Sequence, residues 1–354
     1  MKVNFLMYSC SANPSGGEKV IYQYANYLAS HGHEVHIYYY GFNILIKLHG
    51  KVPEGIRRIM IKKTIAKRPG WIKLNPSIQK HTIFSMDDEH IDDADVIFAT
   101  AVETAKPVKN LSRSKGKKFY LIQDFENWTV GDQAVYDSYQ LGLNIITVSH
   151  WLEQLVKKYS KAPVYCISNA INTDLFKLNN PIDARKAHTI VFHYRNNAYK
   201  GGKYAIEVVK KLKVKYPDLQ VTIVSSQEKD ENIPGFCNYV YNASPEQVAQ
   251  INNDAQIFMC TSVKEGFGLP GLEAMACGCA LVTTDFDGAK EYAVNNKNAL
   301  VSPIKDVDAM NQNVIKLFDD ENLRFKIAQG GLKTAQKRSL ERTGEILESI
   351  LLSK

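Results

Sequence analysis

Strand-like apolar runs that alternate with helical patterns predict an α/β protein of two doubly wound, Rossmann-like halves. Two further observations point the same way. The alternation runs through Tyr159 and then restarts at Thr189. The chain has 354 residues, enough for two domains of ordinary size, each with its own core.

The first half opens with Val3–Tyr8, an apolar run that reads as the first strand. No cleavage-site pattern accompanies it, so it is not read as a signal peptide. Pro14-Ser15-Gly16-Gly17-Glu18 forms a turn, with Ser15 in the cap region of a helix from about Lys19 to His31. Strands are expected at Glu34–Tyr40, Val96–Thr100, Lys118–Ile122 and Asn144–Val148, followed by a helix around Trp151–Tyr159. In the second half, Thr189–Tyr194 is a strand and Tyr204–Tyr216 a helix closed by Pro217. Gln220–Ser225 is the next strand, and a helix near Pro245–Asn252 follows. Ala255–Cys260 and Ala280–Thr284 read as buried strands, with a helix starting at Leu272–Cys277 between them. A helix at about Asp306–Leu317 and a long C-terminal helical stretch finish the chain. The boundary is expected near Val164–Asn172, dividing the chain into 1–166 and 167–338.

Composition bounds the function. Nearly half the residues are apolar, as in globular proteins, and no apolar run is long enough to span a bilayer. Cys10, Cys166, Cys237, Cys260, Cys277 and Cys279 show neither zinc spacing nor a redox pair, and read as reduced core thiols of a cytosolic protein. His31, His33 and His36 likewise read as surface or core histidines, and Asp87-Asp88-Glu89 with Asp92-Asp93 as a solvated acidic turn.

The formal charge is +7. Ile44–Lys80 holds ten Lys or Arg against one acid, Glu54, with Ile56, Ile59, Met60, Ile61, Ile65, Trp71 and Ile72 interleaved. Such a segment suits an anionic membrane surface, or a solvated face whose apolar side is in the core; nucleic acid is the disfavoured partner.

The chemistry concentrates at Glu265-Gly266-Phe267-Gly268-Leu269-Pro270-Gly271-Leu272-Glu273. Two carboxylates bracket a glycine-rich strand-to-helix turn. Glycine permits close approach of backbone to a ligand, and a helix N-terminus attracts phosphate. Pro270 suits a first helical turn. A carboxylate beside a diphosphate needs another partner, and sugar hydroxyls supply one. These residues suggest a nucleotide-sugar site. Arg195, at a strand end, and Lys200, before Gly201-Gly202 and a helix, add two cations able to neutralise a departing diphosphate.

The stretch from Glu265 to Pro303 resembles the signature of the family-4 retaining glycosyltransferases. It continues through Ala274-Met275-Ala276-Cys277-Gly278, Leu281-Val282-Thr283-Thr284, Gly288-Ala289-Lys290-Glu291-Tyr292 and Asn298-Ala299-Leu300-Val301. Arg195 to Gly201 resembles the family's Arg, Lys, Gly pattern, and Gly16-Gly17 its glycine loop facing the donor diphosphate. The resemblance implies the glycosyltransferase B fold: two facing domains with a cleft between them, a hinge near Asn169–Leu175, and a last helix, about 339–354, crossing back to the first domain. It makes 1–166 the acceptor-binding domain and 167–338 the donor-binding domain. Glu265 would then bind the sugar and Glu273 the ribose. Gly266, Phe267, Gly268 and Leu269 would offer backbone N–H groups to the phosphates.

The sequence also departs from the family. Gln123-Asp124-Phe125-Glu126 stands where many members have a site histidine. Gln123 and Asp124 are therefore substrate-binding candidates. The same four residues resemble enzymes that build rhamnose-containing surface polysaccharides. Asn169-Ala170-Ile171-Asn172 and Ser225-Ser226-Gln227 replace two further motifs. Asp285-Phe286-Asp287 looks like a metal-binding pair, but the family needs no metal there, and none is expected, nor any other cofactor.

What the resemblance implies is a retaining transferase moving a sugar from a UDP-, GDP- or dTDP-linked donor, dTDP-rhamnose included. The acceptor would be a hydroxyl of a growing bacterial surface glycan, free or lipid-linked. The setting would be the cytoplasm, or the cytoplasmic face of the membrane through 44–80. A catalytically silent glycan-binding subunit, or an epimerase or glycan phosphorylase of the same architecture, is the alternative.

Overall fold

The computed structural model describes residues 1–353. The chain divides into two compact units, Met1–Ser168 with Glu341–Lys354, and Asn169–Leu340.

The first unit comprises β1 (Lys2–Met7), α1 (Gly16–Ser30), β2 (Glu34–Tyr40), α2 (Glu54–Ala66), β3 (Gln79–Ile83), β4 (Val96–Ala99) and α3 (Val102–Asn110). It continues with β5 (Lys117–Ile122), α4 (Asn127–Tyr139), β6 (Asn144–Thr147), α5 (His150–Lys157) and β7 (Val164–Cys166). Its seven strands run in the order β3-β2-β1-β4-β5-β6-β7, all parallel. Helices cover both faces of such a sheet, so central strands are apolar on both sides. Val3–Met7 and β4 are accordingly buried throughout.

The second unit comprises β8 (Thr189–His193), α6 (Gly202–Lys215), β9 (Gln220–Ser225), β10 (Cys237–Tyr241), α7 (Pro245–Asp254) and β11 (Ile257–Cys260). Then come α8 (Leu269–Ala276), β12 (Ala280–Thr284), β13 (Ala299–Ser302), α9 (Val307–Asp319) and α10 (Glu321–Gln336). Six parallel strands lie in the order β10-β9-β8-β11-β12-β13. One continuous core joins β8, β9, β11 and β12 to α6, α9 and α10 through Phe192, Val209, Ile223, Met259, Val314 and Ile327. Helix starts are locally encoded. Ser244 and Gln247 form a reciprocal capping box before α7, with Pro245 in its first turn. Asp306 and Asp320 cap α9 and α10 through the N–H groups of Ala309 and Leu323.

The final helix, α11 (Leu340–Leu352), lies almost wholly in the first unit. It buries Gly344, Leu347 and Leu351. Gly344 abuts the Tyr27 ring so closely that an added Cβ would sit 2.2 Å from Cδ2. His33 Nε2 meets Glu348 Oε1 at 2.7 Å.

Several elements differ from the sequence expectation. The basic stretch contains a helix, α2, and the strand β3, while β7, β10 and β13 are short edge strands to which the sequence analysis assigned no element. Within α2, Ile61 and Ile65 are buried, and so is Arg57, whose guanidinium is bound at 2.8 and 2.9 Å by Glu54. That pairing holds the Glu54 carboxyl down at about 2. Ile56, Ile59 and Met60 remain exposed.

Candidate active site

In an open parallel sheet, ligands bind outside the carboxyl ends of the strands, where the strand order reverses. In the second unit that point falls between β8 and β11. The loops leaving these two strands carry Arg195, Lys200 and Glu265.

The structure brings Lys200 and Glu265 together: Nζ lies 3.1 Å from Oε2. Ser262 Oγ donates to the other oxygen, Oε1. Glu265 is thus held at both oxygens while its side chain keeps slight exposure. Two backbone contacts fix the loops. Val263 N donates to Tyr199 O at 2.8 Å, and Thr261 Oγ1 donates to Gly201 O at 3.0 Å. Gly201 sits at φ 66°, and a Cβ there would lie 1.9 Å from Thr261 O. No other residue fits this close, left-handed crossing. Arg195 is partly buried at the end of β8, and among the described residues it forms no ion pair.

Gly268, at φ 87°, is the N-cap of α8, which therefore starts at Leu269 and not at Leu272. Pro270 lies in its first turn. Phe267 and Leu269 are buried, and Glu273 is buried on the helix itself. Tyr292 is the keystone of the turn. Its hydroxyl donates to Gly268 O at 2.7 Å, and a Cβ at Gly271 would meet that hydroxyl at 2.6 Å. Burial, above all, keeps its phenol neutral, and the nearby charges of Glu265 and Glu273 act in the same direction. Phe267 packs on Tyr292, with ring centroids 5.4 Å apart, and under the Arg338 guanidinium. Asp285 and Asp287 flank the buried Phe286 and point their charges at Lys290, 4.0 and 3.0 Å away.

The first unit reverses its strand order between β1 and β4. Gly16 and Gly17 open α1 after β1. Ser15 occupies the N-cap position, but its side chain makes no capping bond. Gln123, just beyond β5, donates from Nε2 to Gly17 O at 3.0 Å, so two candidates distant in sequence touch. Asp124 Oδ1 accepts from Phe125 N at 2.8 Å.

Three supporting residues escaped the sequence reading. Ser262 was visible only as a hydroxyl three positions before Glu265. Glu18 is buried against the β1–α1 loop, accepting from Ser9 Oγ at 3.0 Å, Ser11 N at 2.9 Å and Tyr22 OH at 3.3 Å. Burial raises its pKa. The basic stretch also reaches this loop: Arg68 Nη1 donates to Cys10 O at 2.7 Å, and Trp71 Nε1 to Ser11 O at 3.3 Å. Glu126 accepts from Val102 N, at the start of α3, at 2.8 Å. Burial, with smaller contributions from Glu103 and Asp124, pushes its carboxyl up to about 8.

Residues 179–334 match the family model described as glycosyl transferases group 1. Over 200 residues the chain is 26% identical to the capsular polysaccharide biosynthesis glycosyltransferase CapM of Staphylococcus aureus, covering 52% of each protein. The chain spans about half the length of the curated relatives it matches first. Among solved structures, S. aureus TarM (a point mutant in complex with UDP and other ligands) superposes with a TM-score of 0.78 at 11% identity, covering 100% of both chains. Anabaena HepE in complex with UDP and glucose gives 0.74 at 14% identity, covering 99% of both. The fold is that of these neighbours: two parallel-sheet, Rossmann-like domains of the glycosyltransferase B type. The family match covers less than half of the chain, and the relatives matched first are named a putative glycosyltransferase and a mannosyltransferase.

Proposed function

We propose that the chain is a retaining glycosyltransferase that moves a sugar from a nucleoside-diphosphate donor to a hydroxyl of a bacterial cell-surface glycan. One observation carries the reading. The Lys200–Glu265 pair, at 3.1 Å, joins the two loops at the switch point of the second sheet, beside the N-terminus of α8. Cations, a hydroxyl-binding carboxylate and helix N–H groups at one place suit a sugar diphosphate.

In this reading Arg195 and Lys200 neutralise the diphosphate as it leaves. Glu265 orients Lys200 and accepts sugar hydroxyl hydrogens, and Glu273 accepts from the ribose. Gly266–Leu269 supply backbone N–H groups to the phosphates. Gln123 and Asp124 contact the acceptor or sugar. Residues 1–166 with 339–354 then form the acceptor-binding domain and 167–338 the donor-binding domain. Catalysis comes from positioning and charge stabilisation. The names of relatives such as CapM favour a surface-polysaccharide acceptor. UDP is the first base to test, since HepE and TarM were solved with it, and dTDP-rhamnose is the second donor. The enzyme works in the cytoplasm, with the outward face of α2 on the anionic membrane surface.

The test pairs binding with turnover. Thermal shift with UDP, GDP, dTDP and ADP is expected to give one selective stabilisation. Lys200→Ala is expected to lower transfer about 10²–10³-fold with little change in Tm. Near-normal transfer by that variant overturns the role given to Lys200 and Glu265, and no shift with any nucleotide overturns the reading in favour of a silent glycan-binding subunit.

A further inference from the structure

A second cluster of chemistry lies in the first unit. His36 is the third of the seven residues of β2, and His81 is the middle residue of β3, paired in register with Tyr38. The loops holding Gly16, Gly17 and Gln123 leave the carboxyl ends of β1 and β5. Asp92 comes from the loop before β4.

The three side chains converge. His81 Nε2 lies 3.1 Å from His36 Nδ1, and Asp92 Oδ2 lies 3.6 Å from the same nitrogen. All three ligand atoms fall within 4.8 Å of one another. Around a tetrahedral zinc ion with bonds of about 2.0–2.1 Å, neighbouring ligand atoms stand ~3.3 Å apart. The His36 pair distances bracket that spacing. His36 Nε2 meets Glu34 Oε1 at 2.9 Å, and an ionised carboxylate only accepts, so the proton sits on Nε2. In the neutral tautomer that carries this proton, Nδ1 faces His81 and Asp92 with its lone pair. A ligating histidine whose other nitrogen donates to a carboxylate is the usual outer-shell arrangement of a metal site.

The cluster is held rigidly. His36 is buried, and the His81 ring stacks on Tyr38 at 4.5 Å and on His36 at 4.9 Å. Tyr38 OH accepts from Asp92 N at 3.2 Å, and Asn4 Nδ2 donates to Asp92 O at 2.9 Å. One cation competes: Lys2 Nζ stands 3.6 Å from Asp92 Oδ2 and 3.4 Å from Glu34 Oε1.

The geometry points to a binding site for a divalent d-block cation, zinc by preference, formed by His36 Nδ1, His81 Nε2 and Asp92 Oδ2. Two neutral imidazoles and one carboxylate suit zinc, cobalt or nickel over calcium or magnesium. The ion bridges β2, β3 and the loop before β4, and so pins the sheet's edge strand. Its residues are separate from those of the nucleotide-sugar site proposed above, and its test does not depend on transfer.

The full chain, stripped with a chelator, is titrated with Co²⁺ and then with competing Zn²⁺. One equivalent of Co²⁺ is expected to give visible d–d absorption that Zn²⁺ removes, and Zn²⁺ is expected to raise Tm. His81→Gln and Asp92→Asn are each expected to weaken Co²⁺ binding at least 10-fold. Glu34→Gln should weaken it about 10–100-fold through the outer shell. Lys2→Gln should tighten it by removing the competing charge. Circular dichroism identifies any variant that fails to fold, and the Glu34→Gln and Lys2→Gln changes, at an exposed and a partly buried position outside the ligand set, keep the test decisive. No uptake by the wild type overturns the proposal. So does equal uptake by His81→Gln and Asp92→Asn. A thiolate-to-cobalt charge-transfer band also overturns it, since that signal places the ion at Cys166 with His150 and Glu153, the other candidate cluster.

Discussion

Gly288 shows how closely the carboxylate at Glu265 is seated. A Cβ at Gly288 would lie 2.7 Å from Glu265 O and from Phe267 N and Cα. Gly288→Ala is expected to push the 265–267 segment out of place. The cost is about 1–3 kcal/mol of stability, with a parallel loss of nucleotide affinity. Unchanged Tm and unchanged UDP titration would show that the segment is free to yield. Glu126 makes a different prediction. Below about pH 4.5 its carboxyl is protonated in both folded and unfolded chains and contributes nothing. Between that pH and about 8 the unfolded chain loses the proton while the fold retains it, so stability falls as pH rises across this window. Glu126→Gln keeps an acceptor for Val102 N and removes the titration. It should match the wild type in Tm near pH 4 and exceed it near pH 9, by a few kcal/mol on the stability scale. Parallel Tm–pH curves would refute this. Residues of this kind differ in how legible they are. Lys200 and Glu265 sit in local motifs, so sequence alone singles them out. Gln123 and Gly17, 106 positions apart, and His36 and His81, 45 apart, meet only because parallel strands bring them together.

At the scale of elements, α2 is the instructive case. Its sequence reads as charge, because cations fall on nearly every turn and blur the helical stripe. The fold sorts them. Arg57 is paired and buried, Arg58, Lys62 and Lys63 stay exposed beside Ile56, Ile59 and Met60, and beyond the helix Arg68 and Lys80 hold backbone carbonyls. A double change, Ile56→Ser with Ile59→Ser, should leave Tm nearly unchanged, since these side chains are 52% and 56% exposed. It should weaken binding to anionic vesicles in a sedimentation assay. Undiminished binding removes α2 from the proposed membrane contact. The unannounced strands have a common cause. β3 and β10 lie at sheet edges and are half exposed, so neither shows the continuous apolar run of a central parallel strand. The central strands of both sheets, buried on both faces, are the ones the sequence displays.

At the scale of the molecule, the two-domain α/β class was readable because both sheets repeat one β–α rhythm and the chain is long enough for two cores. That the first unit is built from two separated pieces of chain was implied by the family resemblance and not by the residue pattern. Its last piece, α11, shows an ordinary amphipathic pattern that names no partner. The partner is set by fit: Gly344 lies against Tyr27 with no room for a Cβ. Gly344→Val should lower the stability of the first unit by more than about 1 kcal/mol. Hydrogen exchange is expected to quicken in β1 and α1 and to stay unchanged in β11 and α8. Uniform loss of protection in both units would show that they unfold as one.

That discontinuity has a consequence for synthesis. The ribosome finishes Ser168 long before it reaches Glu341, 173 residues later. At ordinary elongation rates the interval is roughly 9–35 s. The second unit, one continuous segment, has all its parts before the first receives its last helix. Until then Tyr27 and its neighbours on α1 lack their cover and are open to chaperones or to another nascent chain. A codon change that slows translation between 169 and 340 would lengthen that exposure without altering a single residue.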